Sequence, residues 1–291
     1  MEKLRENVAG IDNGLLNRCF VPGEQVKEVR SYQRLREDHI RSASMHVNHM
    51  QKALIEMNIR LKEVLIQVHR ASGTAVIKSI IDGEWNAEKL LKLCHVSVRK
   101  KKAHQILKAL EGHYTEAGLF ALRQAYQSYM FYQDQIAECD RQLQVTMERM
   151  NDFHKDNGSR KEIESVKGRK PIRHNRPDVK NLGGHLLKIF TGQDATALPG
   201  ITDYTWLQLY AEAGSDLSRW ESEKHFTSWL GLAPGQHQSG KMKKRRNKKY
   251  RPKAAKIFRQ IGQSLIDSKK IALGSFRRRI KAKVVYLVGL G

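Results

Sequence analysis

Apolar residues recur at three- and four-residue intervals from Val26 through Val29, Leu35, Ile40, Ala43, Val47, Met50 and Leu54 to Met57, with charged residues between them. That period predicts an amphipathic helix over residues 24–59. Ahead of it, residues up to Arg18 show no strand-like alternation, and CFVPG at 19–23 reads as a break. A shorter helix follows to about Ser72, with Gly73 in the place of a C-cap glycine. Three short helices are predicted next, around 75–81, 87–94 and 100–110, with Asn86 as an N-cap and Gly83 and Gly112 as stops. The stretch SGTAVIKSIIDGE has one glycine at its turn and no Gly-Lys-Ser/Thr. It is read as a helix-turn-helix packing unit in preference to a nucleotide loop.

From Thr115 to about Asn151 the period can be counted. Positions 119, 122, 126, 129, 133, 136, 140, 143, 147 and 150 alternate by three and four, and only Gln133 and Asp140 are not apolar. This is the pattern of a coiled-coil seam, in which polar interruptions set register or pairing at some cost in stability. At 1.5 Å per residue the helix spans roughly 50–60 Å. A hairpin with the first long helix and a coil between two chains both satisfy the pattern. Residues 152–181 then turn rich in Lys, Arg, Gly and Pro, as in a basic linker. The expected fold is mainly α: a long antiparallel coiled-coil or helical hairpin (24–151), then a small helical DNA-binding domain (182–291) with a helix-hairpin-helix-like element.

Charge narrows the partners. With 53 Lys and Arg against 30 Asp and Glu in 291 residues, the formal net charge is +23. Such a chain recruits nucleic acid by releasing the counterions condensed on phosphate. No apolar run approaches the ~20 residues of a membrane span, and MEKLRENVAG lacks the apolar core of a signal peptide, so a cytoplasmic protein without membrane contact is expected. Cys19, Cys94 and Cys139 are far apart, which suggests neither a disulfide framework nor a zinc knuckle. His46 and His49 form the one close histidine pair at helical spacing, read as a solvated helix face.

Candidate chemistry is concentrated near the C-terminus. In TGQDATALPGITDYTWLQLYAEAG (191–214) the Leu-Pro-Gly-Ile step before an amphipathic helix resembles half of a helix-hairpin-helix, where backbone amides at a glycine turn hold a DNA phosphate. Gly200 is the glycine of that turn, and Thr202 stands where the second glycine of such a hairpin falls. A plain helix–helix connection is the equal alternative. Ser222 is the expected N-cap of a short helix bearing Phe226, Trp229 and Leu230, with Gly231 as its stop. Next, Ser239 and Gly240 lead into a dense basic run: Lys241, Lys243, Lys244, Arg245, Arg246, Lys248, Lys249 and Arg251, continued by Lys253, Lys256 and Arg259. No acidic residue occurs between Glu223 and Asp267. Past Pro252 a helix to about Asp267 puts Ile257, Ile261 and Leu265 on one face and Lys256 and Arg259 on the other. A last helix is expected over 275–285, before an apolar VVYLVGLG end.

These residues carry a resemblance. The segments TGQDATALPGI, HFTSWLGLAPGQHQSGKMKKRRNKK and KIFRQIGQSLIDSKKIALGSFRRRIKAK, with MQKALIEMNIRL and FYQDQIAECDRQL, resemble the DEDD transposases of bacterial insertion sequences, the insertion-sequence one-ten group. The resemblance covers nearly the whole chain. It implies a RuvC-like domain whose four acidic residues bind divalent metal, then a coiled coil, then a C-terminal domain with a serine nucleophile, all guided by a structured bridge RNA. By motif position that serine is Ser239. The family's last two acidic residues fall before the stretch matching GLLNRCFVP. The chain is therefore expected to be N-terminally truncated, with 1–23 a remnant of the preceding domain. Lys3 lies near one expected Asp, and Glu2, Glu6 and Asp12 are not assigned as ligands. No cofactor is expected in this chain, Mg being implied for the full-length family alone.

Three functions follow as expectations. The first is a DNA-transposition protein that binds DNA and a guide RNA, with Ser239 as nucleophile, catalytically incomplete without the acidic domain. The second is a non-enzymatic nucleic-acid-binding protein that forms homo-oligomers through the coiled coil. The third, a basic ribosome-associated protein, is supported by no specific motif.

Overall fold

The computed structural model describes residues 21–65, 67–156, 175–233 and 252–266, together with helical residues 272, 274–276, 278–280 and 282. The described chain is mainly helical and contains no strand. It divides into two units. One comprises Tyr32–Gln144 with Pro177–Val179, and the other Met1–Ser31, Val145–Arg176 and Lys180–Gly291.

In the first unit, α1 (Glu24–Glu56) and α6 (Glu116–Asp156) supply the long helices. They run antiparallel, since Arg36 meets Asp140, His46 stacks on Tyr132 with ring centroids 5.6 Å apart, and Met57 meets Gly118. All ten seam positions of α6 are buried or half-buried. Asp140, a seam position of this unit, meets the chain's own first helix. It accepts from Arg36 Nε at 2.5 Å, with the two side chains 9% and 2% exposed. The first helix ends at Glu56, short of the expected 59, because Asn58 takes a left-handed conformation (φ 57°). The Ile59 amide then closes on Leu54 O at 2.8 Å.

Four short helices come between the two long ones in the chain: α2 (Leu61–Val64), α3 (Ala71–Ile81), α4 (Ala87–Lys92) and α5 (Val96–Ala109). Asn86 caps α4 as expected, its side chain accepting from the amides of Glu88 and Lys89. Gly83, at φ 95°, lies just past the end of α3. The expectation for Gly73 is corrected: it lies inside α3, buried, and a Cβ there would stand 2.0 Å from Val68 O. Close passage of the Val68 backbone, not helix termination, is what requires glycine. The core of this unit joins Met50 and Leu54 of α1, and Met57 just past its end, to Val76, Ile77 and Ile80 of α3 and to Leu122 and Tyr129 of α6.

The second unit is built on α7 (Leu182–Ile189), a short 3-10 turn (Ala195–Ala197), α8 (Asp203–Ala213), α9 (Glu223–Trp229) and α10 (Lys253–Ile266). The first residues of α1 and the last of α6 belong to it. Glu28 accepts from Thr146 Oγ1 at 3.2 Å and also pairs with Arg149. Arg30 donates to Ala211 O (2.7 Å) and Glu212 O (2.9 Å), meeting carbonyls that the end of α8 leaves open. Trp206, Leu207 and Tyr210 of α8 are almost fully buried, and Phe190 packs edge-on against Tyr210. Burial raises the Tyr210 phenol to about 12, so it stays protonated at physiological pH.

Candidate nucleic-acid interface

The step Leu198-Pro199-Gly200-Ile201 forms a type II turn. Ile201 N donates to Leu198 O at 3.2 Å, proline takes the second position and Gly200 the third, with φ 84°. Beyond the turn, Thr202 caps α8, its hydroxyl accepting from the Thr205 amide at 3.2 Å. Gly200 also lies against α10, where an added Cβ would stand 2.9 Å from Ile261 Cγ2 and 3.4 Å from Leu265. Glycine is thus required twice, for its dihedral angle and for the close approach.

A substitution pair separates the two requirements. Gly192 shares the positive φ (88°) with nothing within 4 Å of an added Cβ. Gly192→Ala is expected to cost about 1–2 kcal/mol from the left-handed backbone alone. Gly200→Ala is expected to exceed it by about 1–3 kcal/mol of overpacking. Denaturant unfolding of the two variants checks this, and equal losses would show that the turn does not press on the helix.

The helix packed on that turn is two-faced. Ala254, Ala255 and Ile257 are buried, Ile261 and Leu265 half-buried, and Lys253, Lys256 and Arg259 exposed, as the spacing predicts. Leu230, at the end of α9, forms a small core with Ala254 and Ala255 at the start of α10, walled by Phe226, Trp229 and Phe258. Trp220 joins this aromatic group, its ring centroid 4.9 Å from Phe226 and 5.0 Å from Trp229. Ser222 caps α9 through the His225 amide, as expected. Residues 230 and 254, which flank the serine and the basic run, are therefore held in one cluster.

Of the residues named from the sequence, Gly200 has its place at the turn. Ser239, Gly240, Lys241, Lys243, Lys244, Arg245, Arg246, Lys248, Lys249 and Arg251 lie outside the described residues, as do Glu2, Glu6 and Asp12. Among the described residues, no group of three or more His, Cys, Asp or Glu is placed to hold a metal ion. No described helix is long and apolar enough to cross a membrane.

One basic element was passed over in the sequence. Between Ala87 and Leu110 there are seven Lys and Arg and a single acid, Glu88. That excess is legible in the residue count, and the apolar period of these helices does not show it.

Residues 193–276 match the family model described as Transposase IS116/IS110/IS902 family. The matched segment includes the Gly200 turn, α8, α9, Ser239 with its basic run, and α10. No curated protein and no solved structure matches the chain.

Proposed function

We propose, on the premise that residues 193–276 form the transposase-family domain they match, that this chain acts in the DNA transposition of an insertion sequence. It grips DNA with its C-terminal domain and attacks a DNA phosphate with Ser239. The observation that carries the reading is that one family match encloses the turn, the basic run and Ser239 together.

The chemistry needs few parts. The Ser239 hydroxyl loses its proton and bonds to phosphorus, while the bond from phosphorus to the neighbouring nucleotide's oxygen breaks and that oxygen leaves as a hydroxyl. The phosphodiester energy is held in a serine–DNA linkage, from which a hydroxyl on another strand can rejoin it. Negative charge grows on the phosphoryl oxygens in the transition state, where Lys241, Lys243 and their neighbours supply cations. Gly240 lets the backbone come close to the strand, and the Gly200 turn with the start of α8 offers amides to a backbone phosphate in the manner of a helix-hairpin-helix. DNA is the first partner, and a structured guide RNA and a second copy of the chain are further ones. Self-association would use outer positions of α6 such as the exposed Phe120 and Phe131.

Ser239→Ala tests the reading. The expected result is undiminished affinity for duplex DNA with loss of any denaturation-resistant protein–DNA adduct, scored on gels with labelled DNA in the presence of divalent metal and guide RNA. An adduct that survives the substitution would dismiss Ser239 as the nucleophile. Failure of the unsubstituted chain to form one would favour the purely binding function.

A further inference from the structure

On the two long helices of the first unit several cations are neutralised in pairs. Arg41 pairs with Asp38, Lys52 with Glu56 and Arg141 with Glu138, each one helical turn apart. The α4–α5 segment departs from this. Of its cations, Lys89 is engaged by Glu84 at 2.8 Å, and Lys102, where α5 bends, donates to Val64 O at 2.9 Å. Lys92, Lys100, Lys101 and Lys108 are exposed, and among the described residues no carboxylate stands within ion-pair distance of them.

Lys92 and Lys108 lie in the last turns of α4 and α5, where a cation complements the helix dipole. Lys100 and Lys101, with Arg99 before them, come just ahead of the bend, where Lys102 leaves helical geometry at φ −135°. The Arg99 Nε is moreover buried without a hydrogen-bond partner. The like charges gathered there repel one another, and a polyanion would neutralise them.

We infer that the α4–α5 surface bearing Lys92, Lys100, Lys101 and Lys108 binds the phosphate backbone of duplex DNA, as a second grip in addition to the C-terminal domain. Residues 96–110 include no Phe, Tyr or Trp. Helix α5 itself therefore carries none of the Phe, Tyr or Trp platforms by which single strands are held, the nearest pair flanking it being the exposed Trp85 stacked on Tyr114. Clustered ammonium groups on short helices suit a duplex instead, which presents one charge per ~1.7 Å of its axis. The inference does not depend on Ser239 or on any strand chemistry.

The test uses the full chain and a labelled 30-bp DNA duplex of arbitrary sequence, with affinity measured by anisotropy across a salt series. The triple variant Lys100→Ala, Lys101→Ala, Lys108→Ala is expected to lose at least tenfold in affinity at 100 mM salt. Its slope of log K against log salt should be shallower by about 3, since each phosphate left without its cation removes ~0.9 from the slope. A control triple, Arg41→Ala, Lys52→Ala, Arg141→Ala, removes the same charge from neutralised pairs and should change the slope by less than 1. Equal effects of the two triples, or no effect of the first, would overturn the inference, and so would a loss confined to an RNA duplex of the same length. Should the variant melt early, amine-reactive footprinting of the unsubstituted chain decides. DNA should protect Lys100, Lys101 and Lys108 from labelling, and unchanged labelling would refute the inferred grip. Since the readout is binding, a failed search for a serine adduct leaves this result intact.

Discussion

Affinity for duplex DNA is expected to fall by about 10³ to 10⁵ between 50 and 200 mM salt. The eleven cations from Lys241 to Arg259 occur without an intervening acid, and Lys253, Lys256 and Arg259 are exposed on α10. If six to ten of the chain's cations neutralise phosphates, each releases condensed counterion, and a slope of about −0.9 per neutralised phosphate gives that range over a fourfold change in salt. Anisotropy titrations at four salt concentrations suffice. A flat response would remove the basic run as the source of binding. A slope of only 2 or 3 would assign the grip to a few side chains and leave most of the run in solvent.

The second large effect is on stability, at the pair Arg36–Asp140. Asp140→Ala removes the carboxylate that meets the buried Arg36 guanidinium, and a buried pair broken on one side costs about 3–5 kcal/mol. Arg36→Met with Asp140→Leu removes both charges and refills their volume with apolar atoms, an exchange that is often neutral or stabilising by ~1–4 kcal/mol. Urea unfolding followed by circular dichroism should therefore rank the single variant far below the unsubstituted chain and the double variant near or above it. A single variant within 1 kcal/mol of the unsubstituted chain would show the pair to be solvated. A double variant as unstable as the single would mean that the charges also hold the hairpin in register.

Several of these features were readable in the sequence, and the physics explains which. Helix positions depend on a local period, so the spacing placed α1, α6 and α10 within a few residues. Capping is also local, which made Asn86 and Ser222 legible. The Leu-Pro-Gly-Ile turn belongs here too, because proline and glycine each restrict or permit one dihedral angle. Gly73 shows the limit. Glycine ends helices and also admits close backbone passage, and only the position of Val68 distinguishes the two. The basic face of α4–α5 was present in the residue count, yet which of its lysines lacked a partner depended on where Glu84 and the Val64 carbonyl lay.

By itself the sequence determined that the chain is helical, strongly basic and marked by an apolar seam with polar interruptions, because period and charge are properties of neighbouring residues. It also supplied the likeness of the C-terminal segment to a transposase family and the nomination of Ser239. Tertiary structure decided that Asp140 is answered by Arg36 from 104 positions away, that Tyr132 stacks on His46, and that Gly200 is held against Ile261. Each of these pairs residues remote in sequence, and no local period encodes which remote side chain fills a gap or balances a charge.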